Sequence, residues 1–325
     1  MAEHWANLPE RKGLTWLRWL FSVYRLLGYR FISLILYPVA GIFLLTGQVQ
    51  RRASQQYIQK IRQTAAKKGL ELPTTLSSYQ HFLRFAHAIL DKLAGWHGDL
   101  QLGKHVDYAS DSPSCPLPDG QKGCLILGSH LGDIEVCRAL SQQRPGFRVH
   151  ALVFNKHAQG FSQLLQEVNP DAGVNLIQVD TLGPETAIFL KEKIDAGDWV
   201  AIVGDRIALE TNAAARTERL IWSDFLGQPA PFPQGPFILA SLLKCPVYLM
   251  FALKQKNELK IYCEMFADPL LLPRARRQEA LQQSVDYYAS RLEHYCLQSP
   301  LDWFNFYNFW ELPDRKADEE QQPPT

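Results

Sequence analysis

Three rhythms of apolar and polar positions divide the chain. The first is a nearly unbroken apolar run, "FISLILYPVAGIFLLTG" at 31–47, which carries no charge. With residues 26–29 in front of Arg30 it reaches the lower limit for a helix that crosses a bilayer, and Pro38 is expected to interrupt its middle. The second rhythm is helical. "RASQQYIQKIRQTAAKKG" (52–69) and "SSYQHFLRFAHAILDKLAG" (77–95) predict helices that each end at a glycine able to take the left-handed cap. In the latter, Phe82, Phe85, Ala86, Ile89, Leu90 and Leu93 recur at helical spacing, while His81 and His87 read as hydrogen-bonded or partly exposed helix histidines. The third is an alternation. Short β-rich runs at 124–128, 149–154, 175–180, 199–203, 246–253 and 259–266 are separated mostly by helix-like segments at about 133–143, 158–168, 184–196 and 235–244. That order predicts an α/β domain with a largely parallel sheet and crossover helices.

The expected organisation is therefore a membrane-associating segment (1–50), a helical region (51–108), a turn-rich connector (109–120), an α/β core ending in a helix near 276–297 (121–310), and a disordered polar tail (311–325). The aromatic stretch "PLDWFNFYNFW" (300–310) reads as core or membrane-facing packing. No internal repeat is present. Trp5, Trp16, Trp19, Tyr24, Tyr29 and Tyr37, with Arg18, Arg25, Arg30, Arg51 and Arg52 on either side of the apolar run, suit a membrane interface and anionic headgroups. A buried helical hairpin of a soluble protein is the other reading of this segment. No small-x-small cleavage pattern follows it, so a removable signal peptide is not expected.

Composition narrows the function. With 325 residues, 46% hydrophobic and 21% charged, the chain is globular, and its formal net charge of +1 supplies no field for nucleic acid. The six cysteines show neither C-x-x-C pairing nor zinc-ligand spacing, which favours a reducing compartment and no metal.

The candidate chemistry lies in "CLILGSHLGDIEVC" (124–137). His130 falls just past the end of an expected strand, where open α/β sheets place their ligand sites. Glu135 is five residues on, about 500° around a helix, so the two side chains meet only if His130 sits on the turn before the helix and folds back over it. Gly128 would allow close backbone approach in that turn, and Ser129 is small. A carboxylate on one ring nitrogen would fix the tautomer and make the other a general base. Asp133 is placed either to cap the following helix or to join the site. From spacing alone, a catalytic pair and a capped helix beside an exposed histidine both stand. No G-x-S-x-G elbow and no H-E-x-x-H accompany the motif, which leaves direct transfer to an activated acyl group.

"GSHLGDIE" resembles the H-x-x-x-x-D/E signature of the glycerolipid acyltransferase superfamily in its glutamate form. The order of apolar anchor, motif, "VFNK", "VGDR" and "FLGQPAPFPQGPFILA" is similar to that of the bacterial lipid A late acyltransferases (lauroyl/myristoyl transferases), as a divergent branch. The resemblance implies a glycerolipid-acyltransferase-like α/β core at the cytoplasmic face of the inner membrane. It implies transfer of a fatty acyl group from acyl carrier protein or a coenzyme A thioester to a hydroxyl or amine of a lipid or glycolipid. No bound cofactor and no metal are implied. His130 would be the base and Glu135 its partner, with Asp133, Asn155, Asp205 and Arg206 as a surrounding polar shell. Ser129, Gln234 and Gly235, the last two opening a helix after the Pro-rich loop that begins the block 225–240, would lie by the donor. Lys156, Arg206, Arg216 and Arg219 are candidates for docking an acidic carrier protein. The residues after the family's aspartate differ here, and "DWFNFYNFW" replaces an Arg-rich block, which leaves the acceptor open. A specialised lipid of aryl-polyene or ornithine type, hydrolysis by the same pair, and a non-catalytic membrane scaffold remain the alternatives.

Overall fold

The computed structural model describes residues 10–97, 103–109, 123–132, 148–153, 174–178, 183–206, 219–255 and 258–311. Helices α1 (Glu10–Thr46), α2 (Gln48–Lys67) and α3 (Ser78–His97) precede strand β1 (Val106–Tyr108). Then come β2 (Leu125–Gly128), β3 (Val149–Val153), β4 (Val174–Gln178), α4 (Pro184–Asp195), β5 (Trp199–Val203), β6 (Leu220–Phe225), β7 (Gln228–Pro233), α5 (Gly235–Leu243), β8 (Val247–Gln255), β9 (Glu258–Ala267) and α6 (Arg277–Gln298). The result is an α/β molecule with a mostly parallel mixed sheet, flanking helices and an N-terminal apolar helix.

The seven-stranded sheet has the order β1-β9-β8-β2-β5-β3-β4. Strands β8, β2, β5, β3 and β4 are mutually parallel; β9 runs antiparallel to β8, and β1 pairs parallel to β9. The central strands are apolar on both faces because both are covered. On β2, Leu125 and Leu127 enter one buried cluster with α2, α5 and α6, while Ile126, with Cys124 just before the strand, enters another on the opposite face. Edge strand β1 falls in the span expected to be purely helical.

Three expectations change. The apolar helix is broken at Gly28 (φ 73°, ψ 170°), and Pro38 stays inside a continuing helix. Only glycine takes that positive φ without strain, whereas Pro38 forfeits one hydrogen bond to a carbonyl on the exposed stripe of α1. Gly69 does take the left-handed conformation (φ 66°) just past α2, but α3 runs through Gly95 to His97. Finally, the Pro-rich stretch before the expected helix at Gly235 is not a loop: it is the end of β6, a tight turn and strand β7, an antiparallel hairpin. Pro229, Pro231 and Pro233 occupy every second position, so their missing N–H groups all fall on the outer edge, and Gln228, Ala230 and Phe232 carry the ladder. The two-residue turn Leu226 (φ 51°) and Gly227 (φ 77°) has the paired positive φ of a tight hairpin. The expected helices at 133–143 and 158–168, and most of the tail, lie outside the described residues.

Candidate active site

The site is set by strand register. In the parallel pair β2–β5, Gly128 lies opposite Val203. Two residues beyond each, at the C-terminal end of the sheet, stand His130 and Asp205. Parallel neighbours are about 4.8 Å apart, so equal steps past paired positions bring these side chains together across 75 residues of sequence. His130 Nδ1 lies 2.8 Å from Asp205 Oδ1, and the His130 backbone N–H donates to the same carboxylate at 2.9 and 3.1 Å.

Asp205 is fully buried. Trp303 Nε1 donates to its Oδ2 at 2.9 Å and Asn305 Nδ2 at 3.2 Å. Burial alone would raise this carboxyl, but the charge and hydrogen bonds of His130, with the Trp303 indole, outweigh it and hold the group below its ordinary value. The carboxylate is therefore ionised and only accepts, so Nδ1 of His130 donates the proton of that bond, and in the neutral ring the lone pair falls on Nε2. The His130 side chain keeps 24% of its surface exposed. A second pair, His150 Nε2 to Asp198 Oδ2 at 2.8 Å, has a histidine only 5% exposed. Access, not pairing, sets His130 apart.

The loop that presents His130 is clamped on both sides. Gly132 bridges to Ala252 of β8 and Leu131 to Trp303, Gly132 N–H donates to Asp302 O, and Phe304 N–H donates to His130 O. Close approach was expected at Gly128, but a Cβ there would meet only Met250 O and Ile202 O at ordinary distances of 3.8 and 3.9 Å. The requirement falls on Gly132, at φ 79°, where a Cβ would stand 2.0 Å from Ala252 O. Ser129, buried, accepts from Leu131 N–H at 3.0 Å and shapes the turn. Tyr288 O–H donates to Gly128 O at 2.8 Å from beneath.

The other candidates divide. Arg206 is half-buried and sits over the Tyr307 ring, 5.8 Å from its centroid, with Nη2 3.3 Å from Asn305 Oδ1. That position sets Arg206 beside Asn305, which itself donates to Asp205. Gln234 caps α5 and Gly235 opens it; the described contacts lead from there to His130 by way of Phe237 and Tyr288. Arg219 ends at the base of the hairpin, its carbonyl accepting from Gln234 N–H. Asp133, Glu135, Asn155, Lys156 and Arg216 lie outside the described residues. Trp303 and Asn305 were missed, because the aromatic block read only as packing. It does pack: Trp303 is fully buried against Tyr57, Phe225, Phe309 and Trp310. The signal that would have found them is the presence of hydrogen-bonding residues within an otherwise apolar run. Among the described residues no group of three or more His, Cys, Asp or Glu is arranged to hold a metal.

Compared with models of known protein families the chain matches none, and it matches no curated protein in sequence.

Proposed function

We propose that this chain is a membrane-associated acyltransferase that moves a fatty acyl group from a thioester of acyl carrier protein or coenzyme A to a hydroxyl or amine of a lipid or glycolipid acceptor. The observation that carries the reading is the His130–Asp205 pair: a partly exposed imidazole at the C-terminal end of the sheet, held in one tautomer by a buried carboxylate, with no partner on Nε2 among the described residues. Nε2 takes the proton of the acceptor as its oxygen or nitrogen attacks the thioester carbonyl. The new C–O or C–N bond forms, the C–S bond breaks, and the proton passes to the departing sulfur. Ser129 is occupied in the turn, which favours direct transfer over an acyl-serine. Asp205 takes on the Nδ1 side the orienting role that the motif spacing gave to Glu135, and the resemblance of "GSHLGDIE" to the superfamily signature supports the acyl class. The apolar segment Ser22–Thr46, of membrane-compatible composition, supports association with a membrane and with it a lipid acceptor.

The test is lipid profiling by mass spectrometry of cells carrying the wild type, His130→Ala or a full deletion, at matched expression and membrane fraction. A lipid one acyl chain lighter should accumulate in the variant and the deletion alike. Profiles that coincide between wild type and His130→Ala, where the deletion differs, would overturn the reading.

A further inference from the structure

From Phe31 to Thr46 helix α1 carries no charge, and among its described side chains one side packs on the protein. Ile32 and Ala40 are buried, Ala40 in one cluster with Phe82 and Leu83 of α3, against which Leu36, Leu44 and Phe306 also pack. The opposite stripe, Phe31, Leu34, Ile35, Pro38, Ile42 and Leu45, recurs at helical spacing and faces outwards. Leu34 is 69% and Leu45 74% exposed. We infer that this stripe is a docking face that lies in the plane of an anionic bilayer, and that α1 does not cross it.

Three observations carry this. The break at Gly28 leaves 29–46 as the continuous helix, about 27 Å long at the α-helical rise, against a hydrocarbon core of about 30 Å. Second, α3 runs antiparallel along that whole length and is held to it by polar groups. Tyr29 O–H donates to Asp91 (2.7 Å), Ser33 meets His87 Nε2 (3.0 Å), and Tyr79 O–H donates to Tyr37 O (3.2 Å). The same α3 is tied into the α/β body through Asp91 to Lys254, Arg84 to Asp302, and His81 to Trp303 O. A spanning α1 would drag Arg84, Asp91 and Lys254 to bilayer depth, where charged groups are strongly disfavoured. An in-plane α1 immerses only the outward stripe, as interfacial helices do.

Third, charge selects lipid over a second copy of the chain. Residues 11–70 contain eleven Lys and Arg and not one Asp or Glu, and Arg25, Arg30 and Arg52 are exposed beside the stripe. Two such faces would repel each other, whereas an anionic leaflet attracts them. The consequence for the site is direct: Phe304, whose N–H holds His130 O, contacts Phe85 of α3, so one helix layer separates His130 from the lipid-facing helix.

The inference deepens the membrane association proposed above and is independent of the transfer chemistry, so either can fail alone. The full chain, with Cys115 and Cys137 changed to Ser and the four buried cysteines kept, is spin-labelled at Leu34→Cys, Pro38→Cys, Ile42→Cys or Leu45→Cys. It is then mixed with phosphatidylcholine vesicles with or without phosphatidylglycerol. Binding should require phosphatidylglycerol, and all four labels should report one shallow depth. A depth that peaks at position 38 and falls towards both ends means a spanning helix and overturns the inference. Failure to bind either vesicle, or dimerisation that shields the labels, overturns it equally. Leu34→Glu with Ile42→Glu, checked for unchanged circular dichroism and melting, should weaken binding by roughly tenfold or more per side chain; unchanged partitioning would also defeat it.

Discussion

Asp205 accepts from the His130 backbone, the His130 ring, Trp303 and Asn305, so it fixes both the position and the tautomer of the imidazole. Asp205→Asn is isosteric but places an amide N–H among donors. Its transfer rate should fall by about 10²–10⁴-fold with little change in KM, because the loss concerns the base and not substrate contact. Glu135→Gln is the companion: if Asp205 alone orients His130, its KM and kcat stay near wild type, and an equal fall in kcat would assign the role to both carboxylates. Acid stability separates Asp205 from a second buried group, His81. His81 is completely buried, accepting from Ser54 and donating to Trp303 O, and burial lowers its pKa from 6.5 to about 4. Below 6.5 the unfolded chain binds a proton that the fold refuses, so this contribution, about 3 kcal/mol, is full above 6.5 and is lost as pH falls towards 4. Asp205, whose pKa is lowered from 3.8, acts later, losing its share as pH drops through that depressed value. Urea unfolding across the upper window should show a slope that His81→Gln flattens, although the variant is less stable at neutral pH.

At the scale of elements, two glycines in one turn should behave oppositely. Gly132→Ala sets a Cβ into the Ala252 carbonyl at a positive φ and should cost about 3 kcal/mol or more, with His130 displaced and activity lost. Gly128→Ala meets only ordinary contacts and should shift stability by less than about 1 kcal/mol. Thermal melting and turnover of the two variants check the contrast, and the reverse order would mean that the loop is held elsewhere. The sequence misplaced this demand because glycine names a permissive position without naming its neighbour; Ala252 is 120 residues away. Strand ends were legible for the opposite reason, since apolar runs such as 124–128 and 199–203 are local signals, and their shared edge put His130 and Asp205 in the same crevice. That Asp205 touches the histidine was not legible, because it depends on the pairing Gly128–Val203. The β6–β7 hairpin was hidden by its prolines, which argue against a strand until their period of two is matched to a free edge.

Across the whole molecule, residues 299–310 bind the N-terminal helices to the sheet. Asp302, almost fully buried, accepts from Arg84 of α3, from Lys254 N–H of β8 and from Ser299, while Trp303 O accepts from His81 and its ring packs on Tyr57 of α2. The N-terminal helices, the His130–Asp205 pair and the core therefore share one joint. Asp302→Ala leaves the Arg84 guanidinium in a half-buried site without its counter-charge and should destabilise the protein by about 3–5 kcal/mol. If the helices and the sheet form one cooperative unit, circular dichroism and tryptophan fluorescence will report the same shifted urea midpoint. Separate transitions would mean that α1–α3 dock as an independent unit. Adding Arg84→Met to Asp302→Ala should restore part of the loss, since an apolar side chain of similar reach removes the unpaired charge while keeping contact. A double variant no more stable than Asp302→Ala would place the energy instead in the Lys254 and Ser299 hydrogen bonds, and the joint would then be a feature of the sheet edge and not of the helix docking.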